Sequence, residues 1–199
     1  MRKLDFYFDF MSPFAYLAFQ KLPEIVQDHG ISIVLHPVDL PRLKVLAGNT
    51  GPANVSIPIK IAYLREDLDR WALRYGVPLA FPASLKSAQA NAAAVRVIET
   101  VSAEQSQRFV KLVWDEIWGR GGDPEDPGII ERASAEIGAD PAPLLNFARS
   151  GDAATRLESL TQQASEAGVF GAPTMVLGDK MWWGNDRLDF LAEALKSGV

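Results

Sequence analysis

Ser12 has the setting in which a short polar side chain can do the most chemistry. It is followed by Pro13, and Ser-Pro is a helix-starting pair: the serine caps, and the proline fills a first-turn position whose N–H would be unpaired anyway. A group there faces free backbone N–H groups and the positive end of the helix dipole, which together favour an anion. Capping its own helix is an equally simple role for Ser12, and both readings stand on the residues alone. The chain contains no cysteine, which removes disulfides, an intrinsic thiolate nucleophile, zinc–thiolate sites and dithiol redox chemistry. Any sulfur chemistry must therefore use sulfur that arrives with a ligand.

The other chemistry-bearing residues are fewer. His29 and His36 are the only histidines, too few for a nitrogen-rich metal site, and no metal is expected. His29 lies beside Gly30 at a helix end and His36 in a strand, neither with a Ser-His-Asp context, and both read as structural. Asp5 and Asp9 share a strand face and read as a solvated or hydrogen-bonded face before a catalytic carboxylate pair. Glu66, Asp67 and Asp69 read as helix surface. Trp114, Trp118, Trp182 and Trp183 could line a pocket for a flat ligand, with core packing expected for at least half of them.

The elements that must position these residues follow from periodicity. Leu4, Phe6, Phe8 and Phe10 alternate with Asp5, Tyr7 and Asp9, the period of a strand over Lys3–Phe10. A helix starts at Ser12, runs through Tyr16, Phe19, Leu22, Ile25 and Val26, and ends near Gly30, with Pro23 able to kink or shorten it. Ile31–Val38 reads as a second strand, so the chain opens with a βαβ unit and a parallel pair. From Asp39 to Ala167 the apolar period becomes helical, clearest at Ile61, Leu64, Leu68, Trp71 and Tyr75, and at Phe109, Val113, Trp114, Ile117 and Trp118. Asp126-Pro127 and Asp140-Pro141 each pair a cap with a first-turn proline, and Gly119–Gly122 reads as a loop. A helix over Asp152–Ala167 leads to a hairpin of Thr174–Leu177 and Lys180–Trp183 around Gly178-Asp179, then a last helix from Asn185 or Asp186 to Lys196.

Without its middle, this order is β-α-β-α-β-β-α, that of an α/β thioredoxin-like domain carrying an all-helical insertion. The expected division is residues 1–40 with 152–199 for the thioredoxin-like part and 41–151 for the insertion. Ligands of α/β sheets lie beyond the carboxyl ends of parallel strands, which again points to Ser12. With 48% hydrophobic and 23% charged residues over 199 positions, the composition is that of a globular domain, which excludes disordered and fibrous classes. Lys and Arg number 20 against 25 Asp and Glu, a net charge of -5 with no basic block, so nucleic acid is not an expected partner. No run approaches the roughly 18 apolar residues of a membrane span, and Arg2, Lys3, Asp5 and Asp9 interrupt the N-terminal segment; a soluble cytoplasmic protein is expected.

Three segments carry a family resemblance: 9–16 (DFMSPFAY), 171–174 (GAPT) and 182–188 (WWGNDRL), joined by 51–54 (GPAN) and 67–71 (DLDRW). Together they resemble the 2-hydroxychromene-2-carboxylate isomerases, glutathione-dependent relatives of kappa-class glutathione transferases and DsbA-like oxidoreductases. The resemblance implies a homodimer that binds glutathione. It implies that Ser12 stabilises the glutathione thiolate, with Phe14 beside it. It implies a cis Ala172-Pro173 bond, with the Ala172 main chain on the cysteinyl part, and Trp183, Gly184, Asn185 and Asp186 at the γ-glutamyl end, where capping is the other role open to Asn185 and Asp186. Lys44 and Asn54 would hold the substrate carboxylate or a developing oxyanion. Val55 stands where naphthalene-pathway members carry Arg, and Leu85 where they carry Tyr, so the acceptor site is expected to differ. Reversible thiolate addition would permit cis-trans isomerisation. The alternatives are a kappa-like glutathione S-transferase and a non-catalytic glutathione-binding protein.

Overall fold

The computed structural model describes residues 2–198; Met1 and Val199, the outer limits of the expected thioredoxin-like part, lie outside the described residues. The chain opens with β1 (Arg2–Phe8), α1 (Pro13–Val26) and β2 (Ile31–Pro37). Alternation in β1 buries Leu4, Phe6 and Phe8 completely and leaves Asp5 and Tyr7 half-buried on the other face. The strand stops short of the expected Phe10 because the backbone turns: Ser12 N–H donates to Asp9 O at 2.9 Å, and Phe10 N–H donates to a side chain, Asn91 Oδ1, at 3.1 Å. Asp9 therefore does not share the face of Asp5; it is buried in the turn. Pro23 stays inside α1 on its exposed side, and the helix closes through a tighter turn, Gln27–His29, ended by Gly30 at φ +61°.

Helices fill the segment between β2 and the last hairpin: α2 (Leu40–Leu46), α3 (Pro58–Tyr75), α4 (Ala88–Thr100), α5 (Ala103–Trp114), α6 (Pro127–Glu136), α7 (Pro141–Ala148) and α8 (Gly151–Glu166). Asp126 and Asp140 cap α6 and α7 by accepting from Gly128 N at 2.9 Å and Ala142 N at 3.0 Å. After α5 the helix widens into a π turn over Asp115–Gly119, and Arg120 is still helical, so the loop begins at Gly121, two residues later than expected. The turn aims the Trp118 indole N–H at Phe10 O, 2.7 Å away. β3 (Thr174–Leu177), β4 (Lys180–Trp183) and α9 (Leu188–Lys196) complete the chain, with one short helical turn at Asn185–Arg187 before α9.

The four strands lie in the order β2-β1-β3-β4, with β1 parallel to β2 from Arg2–Ile31 to Phe8–Pro37 and the other pairs antiparallel. This is the thioredoxin arrangement with a helical insertion between β2 and α8. The insertion does not fold away from the sheet. Trp114 of α5 packs against Phe6, Phe8, Phe10 and Phe19 with ring centroids 5.0–6.3 Å apart, and one continuous core joins β1, α1, α4, α5 and α6. Burying one such side chain contributes about 1.5–3 kcal/mol, so this seam holds insertion and sheet as one body. Among the described residues no helix is long and apolar enough to cross a membrane.

Candidate functional site

The Asp9–Ser12 turn joins the carboxyl end of β1 to α1. Ser12 is 5% exposed; its Oγ accepts from Ala15 N–H at 3.2 Å, capping α1, and donates to Ala172 O at 3.3 Å. The second contact brings the start of α1 against the Ala172-Pro173 peptide, which is cis. Gly184 N–H donates to Pro173 O at 2.9 Å and draws the turn after β4 alongside. Gly184 has φ +104° and ψ 151°, a conformation open to glycine almost alone, and a Cβ there would run into the Asp186 carboxylate. Gly171 is confined differently: a Cβ would lie 2.6 Å from Trp183 Nε1.

These segments form one wall of a cleft with two lobes. The first, about 440 Å³, is lined by Ala172, Pro173, Trp183, Gly184, Asn185, Asp186 and Arg187, and opposite them by Tyr63, Asp67 and Trp71 of α3. The second, about 400 Å³, is lined by Asn54, Ile59, Lys60 and Leu64. Phe14, Tyr63 and Asp67 border both lobes. Ser12 is not among the lining side chains and adjoins the first lobe through Ala172. The Tyr75 hydroxyl donates to Asn185 O at 3.1 Å, which ties α3 to the turn. Asn185 is 3% exposed, and its Nδ2 is buried without a hydrogen-bond partner among the described residues, an unmet donor beside the first lobe. Asp186 is ion-paired with Arg187 at 2.6 Å; neither Asn185 nor Asp186 caps the following helix through its side chain.

The sequence-derived residues divide accordingly. Phe14, Ala172, Pro173, Trp183, Gly184, Asn185 and Asp186 come together in the first lobe and Asn54 in the second, whereas Lys44, on the last turn of α2, Val55 and Leu85 are not among the lining residues. Val55 is exposed beside Asn54, and Leu85 packs partly buried against the core. The second lobe's cation is Lys60, whose Nζ donates to Asn54 Oδ1 at 3.1 Å and makes no ion pair among the described residues. Asp67 departs from the expected helix surface, for it is half-buried in the cleft. Tyr63, Asp67 and Trp71, four residues apart, form a helical stripe, a signal present in the sequence but masked by the stronger apolar stripe beside it. Trp114 and Trp118 are core, Trp182 packs partly buried against it, and Trp183 lines the cleft 53% exposed, in edge contact with Phe170. His36 Nε2 meets Asp5 Oδ1 at 2.7 Å and its ring stacks on Tyr7, away from the cleft. Among the described residues no group of three or more His, Asp or Glu is arranged to hold a metal ion.

Burial also moves titrations near the site. The Asp9 carboxyl is raised by desolvation, against the lowering effect of its hydrogen bonds. Tyr16, whose hydroxyl donates to Pro78 O at 2.7 Å, is pushed up to about 12 by burial and by the Asp115 charge.

A thioredoxin sheet, an N-capping Ser12 against a cis-proline turn and a helical insertion that closes the cleft define a protein of DsbA type. The DSBA-like thioredoxin domain profile matches residues 3–196. The chain is 42% identical to the 2-hydroxychromene-2-carboxylate isomerase of Pseudomonas putida, over 96% of this chain and 93% of the other. It is 29% identical to glutathione S-transferase kappa 1 of Rattus norvegicus, over 98% and 91%. A solved structure of 2-hydroxychromene-2-carboxylate isomerase superposes with a TM-score of 0.91 at 41% identity, covering 98% of this chain and 95% of that one. The chain belongs to the DsbA-like thioredoxin domain family and, within it, to the 2-hydroxychromene-2-carboxylate isomerase family.

Proposed function

We propose that the chain is a glutathione-dependent cis-trans isomerase that converts 2-hydroxychromene-2-carboxylate, or a close analogue, to trans-o-hydroxybenzylidenepyruvate in aromatic hydrocarbon catabolism. The observation that carries this reading is the Ser12 hydroxyl at the N-terminus of α1, 3.3 Å from a carbonyl of the cleft wall, in a chain without cysteine. The cleft fits glutathione, whose ammonium and two carboxylates need charges of both signs. It offers Asp67 and Asp186, Arg187 and Lys60, and the unmet Asn185 Nδ2, in lobes of ligand size. When bound, glutathione supplies a thiolate that adds to a conjugated carbon of the substrate and later leaves, so that a double bond turns while it is single.

The chain's own part is positional and electrostatic. Ser12 Oγ turns its hydrogen from Ala172 O to the sulfur, and the positive end of the α1 dipole holds the negative charge there. The Ala172 main chain takes the cysteinyl unit by a short strand addition, while Gly184, Asn185 and Asp186 take the γ-glutamyl end. Phe14, on the wall of both lobes, shields the sulfur from water, and Trp183 stands with the γ-glutamyl end. Lys60 and Asn54 hold a carboxylate or a developing oxyanion in the second lobe; Lys60 takes the anchoring part that the resemblance gives to Lys44, because it is Lys60 that lines the lobe.

Residues 1–40 and 152–199 form the thioredoxin-like part of this enzyme and 41–151 the insertion. A homodimer is supported by exposed apolar side chains outside the cleft lining, Leu73 of α3 and Phe190 of α9. A cytoplasmic location accords with reliance on reduced glutathione. The deciding experiment mixes the purified protein with 2-hydroxychromene-2-carboxylate, with and without glutathione, and follows the ultraviolet spectrum. Fast equilibration that needs only catalytic glutathione is expected. A stable conjugate with chlorodinitrobenzene and no isomerisation would make the chain a transferase, and glutathione binding with neither reaction would make it a binding protein.

A further inference from the structure

Asp9 is 1% exposed, yet it carries a carboxylate, and the elements around it do not require one. Ser12 caps α1 without it, and the core at this end of β1 is built by Phe6, Phe8, Phe10 and Trp114. A buried carboxylate is tolerated only where its oxygens meet donors. Here Oδ1 accepts from Met11 N–H at 2.9 Å and from the Ser87 hydroxyl at 2.5 Å, and Oδ2 accepts from Leu40 N–H at 2.8 Å. The donors come from three separate stretches of chain: the turn itself, the first turn of α2 and the residue before α4. Neighbouring groups complete the clamp. Asn91 Oδ1 accepts from Phe10 N–H at 3.1 Å, Asn91 Nδ2 reaches Val38 O and Ser87 Oγ at 3.3 Å each, and the Trp118 indole donates to Phe10 O at 2.7 Å. The turn that delivers Ser12 is thus held by fixed side chains of the insertion, not by its own ladder.

We propose that Asp9 is a positioning residue for Ser12: its carboxylate locks the 9–12 turn to α2 and α4 and so sets where the Ser12 hydroxyl points. This rests on the reading of Ser12 as the thiolate partner. The groups that face Asp9 are neutral: the Met11 and Leu40 amides, the Ser87 hydroxyl and the Asn91 amide. It therefore works as a multiple acceptor rather than as half of an ion pair. Asparagine, of nearly the same shape, would turn an N–H toward a donor and lose at least one of these bonds.

The test compares wild type with Asp9→Asn and Ser87→Ala by three measurements. They are amide hydrogen exchange at Met11 and Ser12 in the ligand-free chain, the pH midpoint at which bound glutathione gains thiolate absorbance, and kcat and KM with 2-hydroxychromene-2-carboxylate. Exchange at both amides is expected to quicken and the midpoint to rise. For Asp9→Asn, kcat is expected to fall by roughly 10²-fold, the scale of a 1 Å misplacement, with KM for glutathione nearly unchanged. Ser87→Ala keeps the carboxylate and removes one donor, so it shifts the same readouts in the same direction by less. Folded variants with wild-type exchange, midpoint and kcat overturn the proposal. If Asp9→Asn does not fold, Ser87→Ala decides alone, and no change in it overturns the proposal equally. A wild-type protein that forms no bound thiolate defeats the functional reading instead, and the exchange measurement still judges the clamp.

Discussion

Replacing Ser12 by alanine removes two interactions of different consequence. The hydroxyl caps α1 by accepting from Ala15 N–H at 3.2 Å, and loss of such a cap costs about 1 kcal/mol. In a chain of this length that lowers Tm by about 2–4 °C. The bond to Ala172 O is long, at 3.3 Å, and its loss adds little in the free protein. In the proposed glutathione complex the same hydroxyl donates to a thiolate, and a hydrogen bond to a charged group is worth about 1.5–3 kcal/mol. Removing it is expected to lower turnover roughly ten- to a hundredfold, at 1.36 kcal/mol per factor of ten. The same loss raises the bound thiol's pKa by about 1–2 units. Glutathione affinity measured below the thiol pKa is expected to stay close to wild type, because the proposed binding mode holds the γ-glutamyl end at 183–186. The assays are equilibration of 2-hydroxychromene-2-carboxylate across a pH series, thiolate absorbance against pH, and thermal unfolding. A Tm lowered by the cap alone, with turnover and thiolate midpoint unchanged, would refute the reasoning and leave Ser12 as a helix cap.

Other expectations follow from the same geometry. Lys60→Met removes the free cation of the second lobe; because Lys60 is exposed, a discounted loss of about 1 kcal/mol is expected, seen as a severalfold rise in the KM of a carboxylate ligand with kcat unchanged, and an unchanged KM would remove Lys60 from the site. Gly184→Ala should cost about 1–3 kcal/mol in thermal stability, because its backbone lies where side chains are strained, and calorimetry should find weaker glutathione binding as the turn shifts away from Pro173. Tyr16 is neutral in the fold up to about pH 12 but ionises near 10 when unfolded, so its contribution is complete below pH 10 and is lost as the pH rises through 12. Tyr16→Phe should lower stability at neutral pH by about 1 kcal/mol and flatten the alkaline decline, and a decline as steep as wild type's would assign it to other groups.

Most of the architecture was legible from local signals. The alternation of Leu4, Phe6 and Phe8, the Ser12-Pro13, Asp126-Pro127 and Asp140-Pro141 starts and the Gly178-Asp179 turn each act within a few residues, and the elements they specify are present. The absence of cysteine excluded dithiol chemistry outright, since composition needs no geometry. The end of β1 and the burial of Asp9 were different in kind. Asp9 looks like a solvent-facing strand position until Ser87, 78 residues later, and Leu40, 31 residues later, are placed around it. Asn91 and Trp118 hold Phe10 across 81 and 108 residues.

The cleft divides along the same line. Local signals in the sequence marked Ser12, and the family resemblance marked the Ala172-Pro173 turn and the 183–186 run, each a contiguous motif. Only the tertiary structure decided what faces them: Tyr63, Asp67 and Trp71 share one side of α3, and Lys60 stands with Asn54 in the second lobe while Lys44 is outside the lining. A helix period tells which residues share a face, but not which of two faces meets a cleft. That choice belongs to the packing of α3 against α1, pinned at its far end by Tyr75 on the Asn185 carbonyl.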